Sequence, residues 1–227
     1  MKKIVLSIII LLMWNSKAFT HVEHYEKLNF LEYELFRNNN SIGYHKYNFI
    51  RKNGLLTIKS EVNFKISKLG VDLYKYSAKS EEVYKDNKFL RFSSKTKQNK
   101  KEKYVNISVN TSDGSLLIDG SSYKGKGDKE IIVGTWWNHE IVKAKAQISA
   151  ISGRIIDQTV TFIGKEKVII DGVTYNTLRF NFKSSDQTLP ENKRLNTNVW
   201  YDEKSLTWIK AAFDKRGHWE YRLKIKK

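Results

Sequence analysis

The sequence predicts an all-β protein. The expected form is a single antiparallel meander, a strongly bent sheet or partly open barrel of about 10–12 strands, with one helix near 139–152. Three observations carry this. Apolar and polar residues alternate with period two through most of the chain. Positive-φ turn residues separate the alternating runs. One segment alone changes to a spacing of three and four.

The alternation is cleanest from Leu56 to Ile66, where the even positions are apolar except Ser60 and the odd ones are polar. One face of such a strand is buried and the other is wet. Looser versions cover Leu31 to Arg37, Ile42 to Arg51, Val71 to Tyr84, Lys88 to Lys97 and Tyr104 to Val109. Further along they cover Ile155 to Ile163, Val173 to Lys183, Asn198 to Tyr201, Leu206 to Phe213 and Trp219 to Ile225. Asn38-Asn39-Asn40, Asn53-Gly54, Asp86-Asn87, Asp113-Gly114, Asp171-Gly172 and Arg216-Gly217 separate runs with residues that tolerate the left-handed region. Between Asn138 and Gly153, Ile141, Ala144, Ile148 and Ile151 recur at helical spacing. Asn138 suits an N-cap, Glu140 the first turn and Gly153 a stop, so this segment reads as a helix lying against or in the concave face. Lys183 to Leu195, with the sole proline at 190, is the longest expected loop.

The chain of 227 residues carries 41 Lys+Arg against 24 Asp+Glu, a formal net charge of +17, and no cysteine. Disulfides, thiolate metal sites and thiol nucleophiles are therefore excluded. Lys2 and Lys3 precede an apolar run from Ile4 to Trp14, followed by Ser16 and Ala18 at the small-residue positions of a cleavage site. Residues 1–18 thus read as a signal peptide and 19–227 as one exported domain. The alternative is an uncleaved anchor, because Lys17 falls inside the cleavage region. Lysines are spread along the chain and no nucleic-acid motif occurs, so no nucleic-acid partner is expected. Two denser basic stretches, Arg91 to Lys103 and the C-terminal run from Lys215 to Lys227, suit an anionic membrane surface.

Several short motifs occur in order: Ile42-Gly43-Tyr44-His45, Lys65 to Tyr76, Trp136-Trp137-Asn138, Asp171 to Tyr175 and Val199-Trp200-Tyr201-Asp202. Together they resemble an uncharacterised domain-of-unknown-function family of exported proteobacterial proteins, over nearly all of the chain after the leader. The resemblance implies a signal peptide, a mostly antiparallel β fold and a periplasmic location. It implies no activity and transfers no catalytic residue. The general form is similar to periplasmic lipoprotein-carrier folds, an analogy of fold alone.

His21 would stand third in a chain cleaved after Ala18, where an amine, two amides and an imidazole can hold Cu(II) or Ni(II). His45, His139 and His218 lack ligand spacing, and His139-Glu140 lacks the second histidine of H-E-x-x-H. No G-x-S-x-G, P-loop or dinucleotide motif occurs, so no cofactor is implied and no catalytic residue is named. Aromatic residues are the stronger signal. Trp136, Trp137, Asn138, His139, Trp200, Tyr74, Tyr76 and His45 are the candidate ligand-binding residues, because apolar walls with a few polar anchors make small-molecule pockets. The favoured reading is non-catalytic binding of an apolar or lipid-like ligand in the periplasm. The alternatives are an envelope structural or interaction protein without a cavity, an acid/base hydrolase, and a small outer-membrane β-barrel.

Overall fold

The computed structural model describes residues 25–227. The signal segment and His21 lie outside the described residues. Fifteen strands form one strongly curved sheet. They are β1 (Phe30–Arg37), β2 (Asn40–Lys52), β3 (Leu55–Lys68), β4 (Val71–Lys85), β5 (Lys88–Gln98), β6 (Lys101–Val109), β7 (Leu116–Gly120) and β8 (Lys124–Gly127). The second half adds β9 (Ile132–Val133), β10 (Ala146–Ile148), β11 (Ile155–Ile170), β12 (Val173–Ser184), β13 (Asn196–Asp202), β14 (Trp208–Asp214) and β15 (His218–Lys226).

The spatial order runs from β8 back to β1, then β15 back to β9. Two meanders therefore join where the first and last strands pair, with Leu35 opposite Tyr221. All pairs are antiparallel except β9 with β10. The runs read from sequence became β1 to β6 and β11 to β15. The count exceeds the expected one because β7 to β10 are short and weakly patterned. β8 is Lys-Gly-Lys-Gly, with no apolar residue to alternate, and such lysines blunt an exposed edge.

β8 and β9 end the ladder without pairing to each other. The sheet curls far enough that Ser122 N–H donates to Ser152 O at 2.9 Å, joining a loop from one end to a loop from the other. Ser94 Oγ donates to Ala150 O across the same seam. An unclosed ladder leaves backbone groups that hydrocarbon does not satisfy, which speaks against the membrane-barrel alternative.

The concave face holds the core. One cluster gathers Tyr33, Leu35, Tyr47, Phe182, Tyr201 and Trp208 with others, and a second beside the seam gathers Phe92, Val105, Ile107, Ile118, Val133 and Ile148.

The expected helix at 139–152 is absent. Its cap is present: Asn138 Oδ1 accepts from Glu140 N–H at 3.0 Å. The turn that follows is 3-10 and covers only His139–Lys143. Gln158 on β11 donates to the carbonyls of Ile141 and Ala144, at 3.3 and 3.0 Å, and so takes acceptors a longer helix would use. Ala146–Ile148 then pairs as β10, with Gln147 bonded to Gln158. Gly153 has φ +78 but serves the turn into β11, with Gly120 packed against it. Isoleucines three and four apart fit a short buried strand and its turn as well as a helix, and burial between two strands decided the outcome.

Candidate binding cavity

An irregular strap, residues 134–139, crosses the concave side in place of the helix. Buried irregular backbone needs partners, and tyrosines distant in sequence supply them. Tyr47 Oη donates to Thr135 O at 2.7 Å, and Tyr201 Oη donates to Trp136 O at 3.0 Å. Tyr25 Oη accepts from His139 N–H at 3.0 Å. Trp137 Nε1 donates to the buried Glu82 carboxylate at 2.8 Å, beside Tyr84 Oη at 2.5 Å and Thr135 Oγ1 at 3.3 Å. Burial raises the Glu82 carboxyl above its ordinary range, with these hydrogen bonds acting against the shift.

The strap holds Trp136 at φ +51. A bulky side chain rarely adopts that region, and strain of this kind persists only where surroundings fix it. The conformation turns the Trp136 ring onto Trp208 and Tyr221, with centroids 5.5 and 5.9 Å away. Trp208 stacks on Tyr33 at 3.9 Å and neighbours His45 at 6.0 Å.

Above this aromatic group, at the mouth where β14 ends and β15 begins, lies an open cavity of about 700 Å³. Trp136, Tyr221, Phe213, Ile151, Ile156 and Leu195 supply its apolar surface. Arg154, Lys183, Lys193, Arg194 and Lys215 also line it, against the acids Glu191 and Asp214. The cations lie close enough to be felt: the Lys215 ammonium is held below its usual range by burial first, then by Arg154 and Arg216. An apolar floor under a cationic rim accommodates a molecule with a greasy body and an anionic end. Trp136 Nε1, Trp208 Nε1 and His45 Nδ1 are buried with no hydrogen-bond partner among the described residues.

The candidates named from sequence separate into five placements. Trp136 lines the cavity. His45 stands behind its wall, ringed by Tyr33, Tyr47, Trp208 and Tyr221, with Nε2 2.8 Å from Ser60 Oγ. Burial lowers its pKa to about 3, so the ring is neutral. Tyr76 stacks on Phe64 at 4.8 Å with Tyr74 beside them, on the same mouth but away from the cavity lining. Trp137, Asn138 and His139 are buried parts of the strap, His139 lying edge-on to Tyr201 at 4.8 Å. Trp200 points to the other face, bonded to Glu166 and covered by Arg179 and Lys210. Val199 and Tyr201 flank it on the core side, so strand parity alone separates it from the cavity.

Sequence reasoning missed Tyr221, Phe213 and the cationic rim. The rim comes from the turn before β11, the long loop and the turn after β14, and only the fold brings these together. The two basic stretches also separate: Arg91 to Lys103 follows β5 and β6, while Lys226 at the far end of β15 bonds to Ser205 and Thr207. Among the described residues, no helix is long and apolar enough to cross a membrane.

Fold and cavity together define a class: an open, barrel-like single-sheet β protein with an aromatic-floored hollow at one mouth. The chain belongs to the family described as domain of unknown function DUF6134, whose family model matches residues 33–224. The expected placement in an uncharacterised family therefore holds. Among solved structures it is similar to a β-barrel-like protein of domain of unknown function DUF1849 from Brucella abortus. That likeness has a TM-score of 0.60 at 13% identity and covers 88% of this chain and 97% of the other. A DUF1329 family protein from Desulfovibrio piger matches at a TM-score of 0.21 and 9% identity, over 92% of this chain and 90% of the other. No curated protein matches the sequence.

Proposed function

We propose that this protein binds, without transforming it, a lipid-like molecule with one anionic end, in the periplasm. The observation that carries the reading is the cavity of about 700 Å³, with Trp136 and Tyr221 in its floor and Arg154, Lys183 and Arg194 at its rim. The volume lies inside the roughly 300–1,000 Å³ usual for small-molecule pockets. The basic start, short apolar run and Ser16–Ala18 pattern support export.

The test is a titration of purified protein with a long-chain carboxylate, read by tryptophan fluorescence, together with native mass spectrometry of protein purified without detergent. Saturable quenching and a co-purified acidic lipid are the expected results. A flat titration and a bare mass would refute the reading. N-terminal sequencing of protein from the periplasmic fraction tests export separately, with Phe19 as the expected first residue.

A further inference from the structure

The β3–β4 hairpin carries an apolar tip that the cavity does not explain. Leu69 is 95% exposed, Val71 61% and Leu73 57%. Leu69 and Gly70 form the two-residue loop with φ +49 and +79, the type I′ pattern. The other two-residue hairpin loops among the described residues begin with Asn38, Asn53, Asp86, Asn99 or Asp171, residues suited to positive φ. Here a leucine takes that place against its steric preference and projects into solvent. A β-bulge between Ile66 and Ser67 leaves Leu73 as the extra residue on the opposite strand, exposed beside the tip.

Basic residues surround it. Lys65, Lys68 and Lys75 belong to the hairpin itself. The neighbouring β5–β6 hairpin adds Lys97, Lys100 and Lys101, and it is fixed alongside by Asn99 N–H to Lys75 O and Lys75 N–H to Asn99 Oδ1, both 2.8 Å. The acids nearby are Glu102 and Asp72, and Asp72 is already bridged to Lys75 at 3.0 Å and Lys65 at 3.8 Å. The tip stands at the same end of the sheet as the cavity. Phe64 at its base meets Trp219 at 5.5 Å, and Trp219 stacks on Phe213, a cavity residue, at 5.9 Å.

We infer that this mouth docks on an anionic lipid bilayer, with Leu69, Val71 and Leu73 entering the interface and the lysine collar lying on the headgroups. Apolar side chains projecting beyond a ring of lysines have the chemistry of an interfacial anchor. Charge complementarity selects an anionic membrane over a neutral one. Docking would also face the cavity toward the source of a lipid-like guest, although the docking itself requires no guest.

The test is co-sedimentation of the purified protein with phosphatidylcholine vesicles and with mixed phosphatidylcholine–phosphatidylglycerol vesicles. The wild type is expected to bind the mixed vesicles and not the neutral ones. Leu69→Asn restores the preferred turn residue, so its melting temperature should hold or rise while vesicle affinity falls at least about tenfold. Neutralising Lys68 and Lys100 to glutamine should lower affinity about fivefold for each lysine. Ile169→Asn removes an exposed aliphatic residue (69%) at the opposite end and should leave vesicle affinity unchanged. The proposal is overturned if the wild type ignores anionic vesicles, as it would if the tip served a protein partner. It is also overturned if Leu69→Asn binds as the wild type does, or if Ile169→Asn loses as much.

Discussion

Replacing Gly43 by alanine tests how the mouth is closed. Gly43 lies in β2 opposite Phe64, and an added Cβ would sit 2.1 Å from Asn63 O and 2.6 Å from the Phe64 Cα and Cβ. Ordinary contact begins near 3.4 Å, so β3 would have to move by about 1 Å. The obstructing atoms are mainly backbone, in a strand paired on both sides, and cannot rotate away. Overpacking of this kind costs about 3 kcal/mol, the upper part of the usual range. For a domain of this size that lowers the melting temperature by about 6–12 °C. Gly54→Ala is the control: φ is +71 but nothing lies within 4 Å of the added atom, so only the left-handed penalty of about 1–2 kcal/mol applies. Thermal melts followed by circular dichroism should rank Gly43→Ala well below Gly54→Ala. The reverse order, or a Gly43→Ala melt matching the wild type, would refute the close approach of the two backbones. It would also remove the reason Phe64 can reach Trp219 across the intervening strands.

Trp136→Gly should weaken binding of a long-chain carboxylate about tenfold or more in a fluorescence-displacement assay, since an aromatic floor worth roughly 1.5–3 kcal/mol is removed. The glycine accepts φ +51 without strain, so the fold should survive; unchanged affinity would exclude Trp136 from the site. Reversing Arg154 to glutamate should cost about 1 kcal/mol of affinity for that ligand at low salt and less at high salt, and a salt-independent loss would deny the rim an electrostatic role. Glu82 has its pKa raised by burial, so its stabilising contribution is full below its ordinary value of 4.5 and is lost as pH rises through the folded value. Glu82→Gln should therefore gain stability relative to wild type across that window in urea titrations, then hold level; parallel profiles would contradict it. His45 runs the other way. With a folded pKa of about 3 against 6.5 unfolded, stability should fall by up to about 1.4 kcal/mol per pH unit as pH drops from 6.5 toward 3. His45→Gln should flatten that limb, and an unaltered limb would mean the ring is not excluded from protonation.

The long strands were legible because each buries one face and wets the other. Leu56, Ile58 and Phe64 are buried on β3 at the positions their alternation predicts. The short strands were not legible, because β8 has no apolar side chain and β9 is held by neighbours rather than by pattern. Adjacent residues of the strap part company: Trp136 turns to the cavity, Trp137 is buried in the core, and Asn138 and His139 are buried where they secure the strap. Trp200 reads as an interior aromatic until its register is known: it lies opposite Arg179 and Lys210 on the outer face. The rim could not be read at all, since Arg154, Lys183 and Lys215 come together only through the curl of the sheet.

That curl explains why a cavity exists without any motif for one. Barrels of about eight strands are just narrow enough for their own side chains to fill, and wider ones enclose space. A fifteen-strand ribbon bent until its end loops touch is wider than its inward side chains can span. The strap through Trp136 and Trp137 fills one end, with tyrosine hydroxyls and the Glu82 carboxylate taking up its backbone and indole groups. The second apolar cluster fills the seam. The remaining hollow lies at the mouth beyond Trp136, where the strap has turned away and the walls belong to a loop and strand ends. Substitutions that tighten those loops could then abolish binding while leaving the sheet intact. A substitution of Trp137 would disturb the sheet as well, because its buried indole ties the strap to Glu82 beneath that floor.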